Sequence, residues 1–450
     1  MILAETFWTS SLRASPKGES ITRILAAAIR AVEPGEAVRR SVQRADDTLT
    51  ISGQTYDLSA YHRVCLLGIG KASIAMAKAL TEILGEYLTN GLVIAKHMPP
   101  VSVNHSLFTK LVGGHPVPDE RSLLAGEKVV KFVSTLSPAD LLFCLISGGG
   151  SALVTVPMDG VSLTDMQSLT ASLLSCGARV DEINALRRRL DRVKGGGVVR
   201  LANGATIVSL IMSDVVGNPL EAIASGPTAP DPTTAADALS ILAKYELEGQ
   251  IPASILQSLK SSTETPKPGD RLLANVQNVL VGSNLLAAQA ALKRAEEEGF
   301  HHYLLRTDLQ GEARQVALEL ATTLRQARQT GDPVPRPACI VAGGETTVTL
   351  KGNGKGGRNT ELALAAVTEL ADFPGVMLVT LATDGEDGPT DAAGAVVTGD
   401  TYRLALAQGM NPLEYLGRND SYSFFEALGD LLKPGPSGTN VNDLTFLFVF

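Results

Sequence analysis

Four short glycine-rich segments stand out in the sequence because each follows or ends a run of apolar residues. They are residues 68–71 (GIGK), 147–151 (SGGGS), 343–345 (GGE) and 383–390 (TDGEDGPT). Glycine lets the backbone approach a ligand closely, and successive N–H groups that face inward bind anions. Ligands of open parallel α/β sheets bind beyond the carboxyl ends of the strands. Four such loops therefore predict an anion site at that edge.

The first loop places Lys71 at the predicted start of a helix, where its charge adds to the helix dipole. This arrangement suits a transferring phosphoryl group or a carboxylate, although a surface lysine that simply opens a helix remains the alternative. The loop is not a dinucleotide fingerprint, because Ser73 stands where the third glycine is required. It is not a P-loop either, since GxxxxGK[ST] is absent there.

A second candidate site lies late in the chain, where residues 352–357 (GNGKGG) lead into Arg358 and Asn359. Arg358 offers a planar, two-pronged donor to a carboxylate or phosphate. Residues 384–391 (DGEDGPTD) then place four acids behind an apolar strand. Such a cluster suits Mg²⁺, which prefers oxygen ligands, but a solvated acidic turn is the alternative. Asp214 and Glu345, each just past a predicted strand end, are further carboxylates that could reach the same site.

The elements that must position these residues follow an alternating pattern. Short runs rich in Val, Ile and Leu alternate with segments of helical period, which is typical of βαβ units and a largely parallel sheet. Strands are predicted at residues 63–69, 91–95, 140–146, 205–212, 278–282, 302–305, 338–342, 346–350, 376–382 and 444–449. Helices are predicted at residues 20–32, 71–84, 118–136, 285–298, 312–329 and 359–371.

The chain of 450 residues exceeds the size at which one core keeps growing, so two domains are expected. The polar segment 261–271 (SSTETPKPGDR), with two prolines, is the predicted boundary. We expect an α/β protein with an N-terminal Rossmann-like domain of residues 1–265. A C-terminal mixed α/β domain of residues 266–450 follows.

Composition excludes several classes of partner. The net charge of −8 argues against a nucleic-acid or anionic-membrane surface, and the basic run 187–189 (RRR) is typical of a solvated helix face. No apolar stretch is long enough for a signal peptide or a membrane span. The four cysteines are too widely spaced for a metal site and favour a reducing compartment. We therefore expect a cytoplasmic protein.

A serine hydrolase is also not indicated. Ser151 lies in SGGGSA rather than in a GxSxG elbow, and no histidine partner is evident. His115, in GGHPVPD, is predicted to be a turn residue beside two prolines.

Taken together, the motifs resemble the class II glycerate kinases, the family whose C-terminal domain carries the MOFRL name. The resemblance runs from about Leu25 to Phe448. The motifs that carry it are GIGKA (68–72), GGHPVPD (113–119), LISGGGSAL (145–153), RVKGGG (192–197), MSDVVGNPLEAIASGPT (212–228), VGSN (281–284), GGETTVTLKGNGKGGRN (343–359), ATDGEDGPTDAAGA (382–395) and GTNVNDL (438–444).

The resemblance implies two α/β domains with the active site in the cleft between them, ATP and Mg²⁺ as cofactors, and D-glycerate as the acceptor that becomes 2-phosphoglycerate. It implies that Lys71 and Arg358 are catalytic. We expect residues of the matching motifs to bind substrate or nucleotide: Gly70, Ser147, Gly148, Gly149, Gly150, Ser151, Lys194, Asn284, Gly343, Glu345 and Asn359. The expected metal ligands are Asp214, Asp384 and Asp387.

Two other functions stay open. The family also carries the name hydroxypyruvate reductase, which would require a nicotinamide site, and the missing dinucleotide fingerprint argues against it. A non-catalytic anion-binding sensor would not explain why acids and bases gather in both halves of the chain. Phosphoryl transfer is the prediction that accounts for both.

Overall fold

The structure, a computed structural model, describes residues 2–97, 107–261 and 263–450. The strands in these ranges are β1 (Val42–Ala45), β2 (Thr48–Ile51), β3 (Gln54–Asp57), β4 (Arg63–Ile69), β5 (Leu88–Ala95), β6 (Phe108–Val112), β7 (Asp140–Ile146), β8 (Thr206–Met212), β9 (Val276–Gly282), β10 (His301–Glu312), β11 (Ala338–Thr347), β12 (Val376–Ala382), β13 (Gly394–Thr398), β14 (Leu431–Leu432) and β15 (Asp443–Val449).

The α-helices in the same ranges are α1 (Ser10–Ala14), α2 (Gly18–Ala31), α3 (Pro34–Ser41), α4 (Ser73–Leu84), α5 (Glu120–Val133), α6 (Gly150–Leu153), α7 (Leu163–Ser175), α8 (Val180–Arg189), α9 (Gly197–Leu201), α10 (Ala235–Lys244), α11 (Ala253–Ser261), α12 (Asn284–Glu297), α13 (Ala313–Thr330), α14 (Arg358–Glu369), α15 (Thr401–Ala407), α16 (Pro412–Gly417) and α17 (Ser421–Leu428).

One compact unit, Pro34–Val281, is built on a six-stranded sheet of order β6-β5-β4-β7-β8-β9. The pairs β6-β5, β5-β4, β4-β7 and β7-β8 are parallel. Every residue of β7 is buried, as its apolar sequence DLLFCLI requires of a central strand covered on both faces. The carboxyl ends of β4 and β7 lie side by side, and the two loops predicted to bind an anion begin there.

The other compact unit comprises Met1–Glu33 and Gly282–Phe450. Its sheet has the order β10-β11-β15-β12-β13-β14 and is mixed, because only the β10-β11 pair among its ladders is parallel. The strand β15 runs antiparallel between β11 and β12, and all its residues are buried. Its first residue therefore lies beside the carboxyl ends of its two neighbours.

The boundaries of these units differ from the predicted domain boundary at residue 265. The N-terminal helix α2 packs on α12, and the guanidinium of Arg23 donates 2.7 Å bonds to both oxygens of Glu298. The first 33 residues therefore join the C-terminal unit. Residues near the predicted linker belong to the other unit, since Thr265 bonds to Asp231 at 2.9 Å and β9 adds the sheet's last strand.

The predicted fold class, α/β with one parallel and one mixed sheet, is confirmed. Predicted strands 63–69, 140–146 and 376–382 coincide with β4, β7 and β12. Two predicted strands at 338–350 form one strand, β11, which continues through two glycines. The small antiparallel sheet β1-β2-β3 was missed, because its short strands are largely polar and lack a strong apolar pattern. Among the described helices, none combines the length and apolar character that crossing a membrane requires.

The buried carboxylate of Asp140, at the start of β7, generates a prediction about stability. Hydrogen bonds from Arg63, followed by those from Ser137, lower the pKa of Asp140 to about 2. A lowered pKa stabilises the fold above the ordinary carboxyl pKa of about 4 and loses that effect as the pH falls toward 2. Asp140→Asn should therefore lower the free energy of unfolding by roughly 2 kcal/mol at pH 7.

Urea unfolding at several pH values between 7 and 3 tests this. The difference between wild type and variant should shrink as the pH falls. A difference that stays constant across this range would contradict the assigned pKa.

Candidate active site

Two loops at the carboxyl ends of β4 and β7 are joined by backbone hydrogen bonds. The N–H of Lys71 donates to the carbonyl of Gly148 at 3.0 Å, and the N–H of Ala72 donates to Ser147 Oγ at 3.0 Å. The Ser147 N–H in turn donates to the carbonyl of Ile69 at 3.0 Å. The structure thus brings together the predicted residues 70, 71 and 147–150 in one place.

The side chain of Lys71 lies over the glycine-rich loop. A Cβ built on Gly149 would fall 3.2 Å from Lys71 Cε and 3.1 Å from His115 Cδ2. Lys71 is exposed, and it has no ion-pair partner in the described part of the chain. Burial, followed by the charge of Lys71, lowers the pKa of His115, so this imidazole is neutral at neutral pH. Lys71 thus places a cation beside the backbone of the glycine-rich loop.

Asp214 and Ser151 border the same loop. A Cβ built on Gly148 would fall 2.0 Å from Asp214 Oδ2, so this predicted metal ligand packs directly on the loop. At the other end of the loop, Ser151 Oγ lies 2.7 Å from Ser225 Oγ. The loop therefore has a carboxylate on one side and paired hydroxyls on the other.

Lys194 is buried, and its ammonium group bonds to other parts of the protein. Its Nζ donates to the carbonyl of Val154 at 3.0 Å, to Thr155 Oγ1 at 3.4 Å and to the carboxylate of Asp191. Burial lowers the pKa of Lys194, and the charge of Asp191 opposes that shift. All three donors are used within the protein, which indicates a role in holding residues 154–155 and 191 together.

The arginine run 187–189 is not the solvated helix face that its composition suggests. Arg188 is buried and pairs with Asp231 at 2.7 Å, and Arg189 is buried and pairs with Glu264 at 2.6 Å. The exposed-face interpretation is therefore wrong for two of the three residues. The third, Arg187, lines a cavity that is described below.

In the other unit, Arg358 begins α14 and is held by two carboxylates. Its Nη1 donates to Glu345 Oε1 at 2.6 Å, while Nε and Nη2 donate to Asp443 at 2.5 and 3.3 Å. These bonds use three of the five N–H donors of a guanidinium, and the two that remain are one on each terminal nitrogen. These bonds fix the orientation of Arg358, and the two remaining N–H groups can still act together as a two-pronged donor.

The carboxyl group of Asp443 is nearly inaccessible to solvent. Burial raises the pKa of Asp443 to about 7, although the charge and hydrogen bonds of Arg358 oppose the shift. Burial also lowers the pKa of Arg358, but the two carboxylates outweigh it and hold that pKa above its ordinary value. The arginine therefore stays charged, and burial makes Asp443 easier to protonate than an ordinary carboxyl group.

Asp387 caps the same helix. Its Oδ1 accepts from the N–H of Asn359 at 3.0 Å, and its Oδ2 accepts from the N–H and the hydroxyl of Thr360, both at 2.8 Å. A Cβ on Gly357 would fall 2.3 Å from Asp387 Oδ1, so glycine is required at this close approach. Two predicted site residues, Asn359 and Asp387, thus form the helix start that positions Arg358.

A cavity of about 600 Å³ lies beside Arg358, and the carboxylates of Glu345, Asp384 and Glu386 line it. In the ranges that the structure describes, no three His, Cys, Asp or Glu side chains are arranged to hold a metal ion. Any cation here would need further ligands from a bound phosphate or from water.

Asn284 and Gly343 also meet in this unit. The Asn284 amide donates to the carbonyls of Val441 and Asp443 at 3.0 and 2.9 Å, and a Cβ on Gly343 would fall 1.8 Å from its Oδ1. That buried Oδ1 has no hydrogen-bond partner among the described residues.

Sequence reasoning missed Asp443 and did not place His115 beside the site. Asp443 begins an antiparallel strand, so a search limited to the carboxyl ends of strands does not find it, although it lies in the quoted motif GTNVNDL. The sequence predicts only a turn at His115. The fold shows in addition that its ring lies against the loop of Gly149.

Comparison with known proteins places this arrangement in a family. The profile described as a domain of unknown function (DUF4147) matches residues 20–260, and the MOFRL family profile matches residues 338–443.

Curated relatives match nearly the whole chain. A glycerate 2-kinase of Pyrococcus horikoshii is 38% identical over 95% of this chain and 96% of its own. A D-glycerate 2-kinase of Thermotoga maritima is 42% identical over 85% of this chain and 89% of its own. A protein of Agrobacterium vitis, provisionally named hydroxypyruvate reductase, is 40% identical over 86% and 87%.

The fold agrees with these matches. A solved structure of a Pyrococcus horikoshii protein superposes with a TM-score of 0.86 at 37% identity, covering 96% of this chain and 98% of that one. The identity and coverage of these relatives, together with both profiles, show that the chain belongs to the MOFRL glycerate kinase family, whose curated members include glycerate 2-kinases.

Proposed function

We propose that this protein transfers the γ-phosphoryl group of ATP to the C2 hydroxyl of D-glycerate and forms 2-phosphoglycerate. The hydroxyl oxygen forms a bond to the γ-phosphorus, and the bond to the β–γ bridging oxygen breaks. The electron pair leaves with ADP, and the hydroxyl proton passes to water or to a base. The single observation that carries the proposal is the exposed Lys71 over the loop of residues 147–151.

That loop offers what phosphoryl transfer requires. Backbone N–H groups and a lysine stabilise the charge that spreads over the phosphoryl oxygens, and no covalent intermediate is needed. Lys71 has no competing carboxylate in the described residues, so its charge is available to a phosphate. The names of the relatives support the same reaction.

We assign binding of the acceptor's carboxylate to Arg358 for a geometric reason. Its two remaining N–H donors match the two oxygens of a carboxylate. A clamped carboxylate fixes C2 directly beside the anchor, whereas C3 keeps an additional free torsion. Lys71 belongs to the unit Pro34–Val281, and Arg358 belongs to the other unit.

The residues present also fit Mg²⁺. This ion usually takes one or two carboxylates and completes its shell with water and substrate phosphates, so a three-residue cage is not needed. The predicted ligands include Asp384, which lines the cavity beside Arg358, and Asp214, which packs on the glycine-rich loop, whereas Asp387 already uses both oxygens as a helix cap. When bound, Mg²⁺ would neutralise the phosphates and polarise the transferred group.

The reductase alternative gains no support from the fold. A dinucleotide fold requires close backbone approach at the helix start after its first strand. Here Ser73 occupies that point, is buried, and donates to the carbonyls of Gly70 and Ile94 at 2.8 and 2.9 Å.

The first prediction tests reaction class and position together. With ATP, Mg²⁺ and D-glycerate, the protein should release ADP, and added enolase should convert the product to phosphoenolpyruvate without phosphoglycerate mutase. Enolase accepts only the 2-phosphate, which is the product that the carboxylate clamp favours. Hydroxypyruvate with NADH or NADPH should show no change at 340 nm. A requirement for mutase would refute the clamp, and reductase activity without ADP release would refute the kinase assignment.

Lys71→Met should lower kcat about a hundredfold, because one preorganised donor commonly supplies roughly 3 kcal/mol to the transition state. Lys71 is exposed and methionine keeps most of its apolar stem, so the melting temperature should change little. Lys78→Met, an exposed lysine on α4, is the matched control. Near-normal kcat in a folded Lys71→Met protein would leave Lys71 without a catalytic role.

Substitutions of Asp384 and Asp387, two acids of one turn, should have different effects on stability and on the Mg²⁺ requirement. Asp387→Ala should lower the free energy of unfolding by roughly 1–2 kcal/mol, because the start of α14 loses its cap. Asp384→Asn keeps an oxygen that can accept the hydrogen bond from the N–H of Glu386, so it should lower stability less than Asp387→Ala does. It should raise the Mg²⁺ concentration for half-maximal rate about tenfold or more. Thermal melts and Mg²⁺ titrations of both variants test this. If Asp387→Ala alone raises the Mg²⁺ requirement, the ligand assignment is reversed.

A further inference from the structure

A cavity of about 340 Å³ lies in the unit Pro34–Val281, beside the glycine-rich loop. One end is polar and contains Ser151 of that loop together with Thr155, Lys194 and Arg187. The volume is within the range of small-molecule sites. The cavity therefore continues the phosphate-binding loop into a closed space of the same unit.

The remaining walls are mainly apolar. Met166 and Leu163 form its buried side, and the apolar side chains of Val117 and Leu174 lie at its border although they are 61% and 63% exposed. Exposed apolar side chains around a cavity mark a surface that a ligand covers. Glycerate is polar throughout and gains nothing from such walls, whereas a flat heteroaromatic base does.

Arg187 supplies the second observation. In the described residues it has neither an ion pair nor a hydrogen bond, unlike Arg188 and Arg189 beside it. Burial lowers the pKa of Arg187, and its charge lowers the pKa of the neighbouring Lys194. A largely desolvated cation without a partner is costly unless an anion neutralises it.

We propose that this cavity is the nucleotide site, in which the apolar walls hold the purine base of ATP and Arg187 binds its phosphates. The inference rests on the proposed kinase function and adds Arg187 as a residue that binds the nucleotide. The base lies against Met166 and Leu174. The phosphates extend along Ser151 toward Lys71, so that the γ-phosphoryl group reaches the lysine.

The experiment is calorimetric titration of the full chain with Mg–ADP, inorganic tripolyphosphate and D-glycerate. Arg187→Met should weaken ADP and tripolyphosphate about tenfold or more, since a charge-assisted bond is lost, and should leave glycerate unchanged. The melting temperature without ligand should not fall, because methionine removes an unpaired charge. Arg179→Met is the control, since Arg179 precedes the same helix and pairs with Asp181 on the surface.

A second variant tests the apolar half. Ala171 borders the cavity and is exposed, so Ala171→Trp fills space without disturbing the core. It should weaken ADP but not tripolyphosphate, which has no base. Arg187→Lys, which keeps a charge, should retain part of the ADP affinity.

The outcomes separate this inference from the proposed function. Weakened glycerate binding in Arg187→Met would assign the cavity to the acceptor, and unchanged binding of all three ligands in a folded variant would overturn the proposal. ADP binding that depends on Arg187, in a protein that does not phosphorylate glycerate, would leave the nucleotide site standing and refute only the kinase function. Failure of the wild-type protein to bind ADP would refute the nucleotide site.

Discussion

The contact between the loops that follow β4 and β7 is the constraint on which the parallel-sheet unit depends. At Gly70, which has a φ of +131°, an added Cβ would fall 2.2 Å from Ser147 Oγ and 2.5 Å from its carbonyl. The loops can therefore meet only if residue 70 is glycine. Their hydrogen bonds set the backbone of Lys71 against Gly148, and this places the ammonium group over Gly149. Any larger residue would separate Lys71 from the glycine-rich loop.

The two units contain different sets of charged side chains. Around the glycine-rich loop lie the cations Lys71 and Arg187, for which the described residues provide no ion pair. Around Arg358 lie the carboxylates of Glu345, Asp443 and Asp384. A cation without an ion pair favours an anionic ligand, whereas a group of carboxylates favours a bound cation.

The sequence predicted the features that depend on local pattern. Buried strands such as β7 are recognisable because both faces are apolar. Features that depend on long-range packing were not predicted. The N-terminal helix α2 joins the C-terminal unit through α12, and Asp443 reaches Arg358 from an antiparallel strand. Neither contact leaves a signal in the neighbouring residues, because each partner is more than 80 positions away along the chain.

The three consecutive arginines of α8 lie in different surroundings in the fold. Successive residues of a helix point about 100° apart, so three consecutive arginines cannot share one solvated face. Ile183, Leu186 and Leu190 cover the buried side, and Arg188 and Arg189 must find Asp231 and Glu264 to be buried beside them. Arg187 has no such carboxylate within the described chain, and its partial burial lowers its pKa. The fold thus supplies carboxylate partners for two of the arginines and none for the third, whose charge an anionic ligand in the adjoining cavity would compensate.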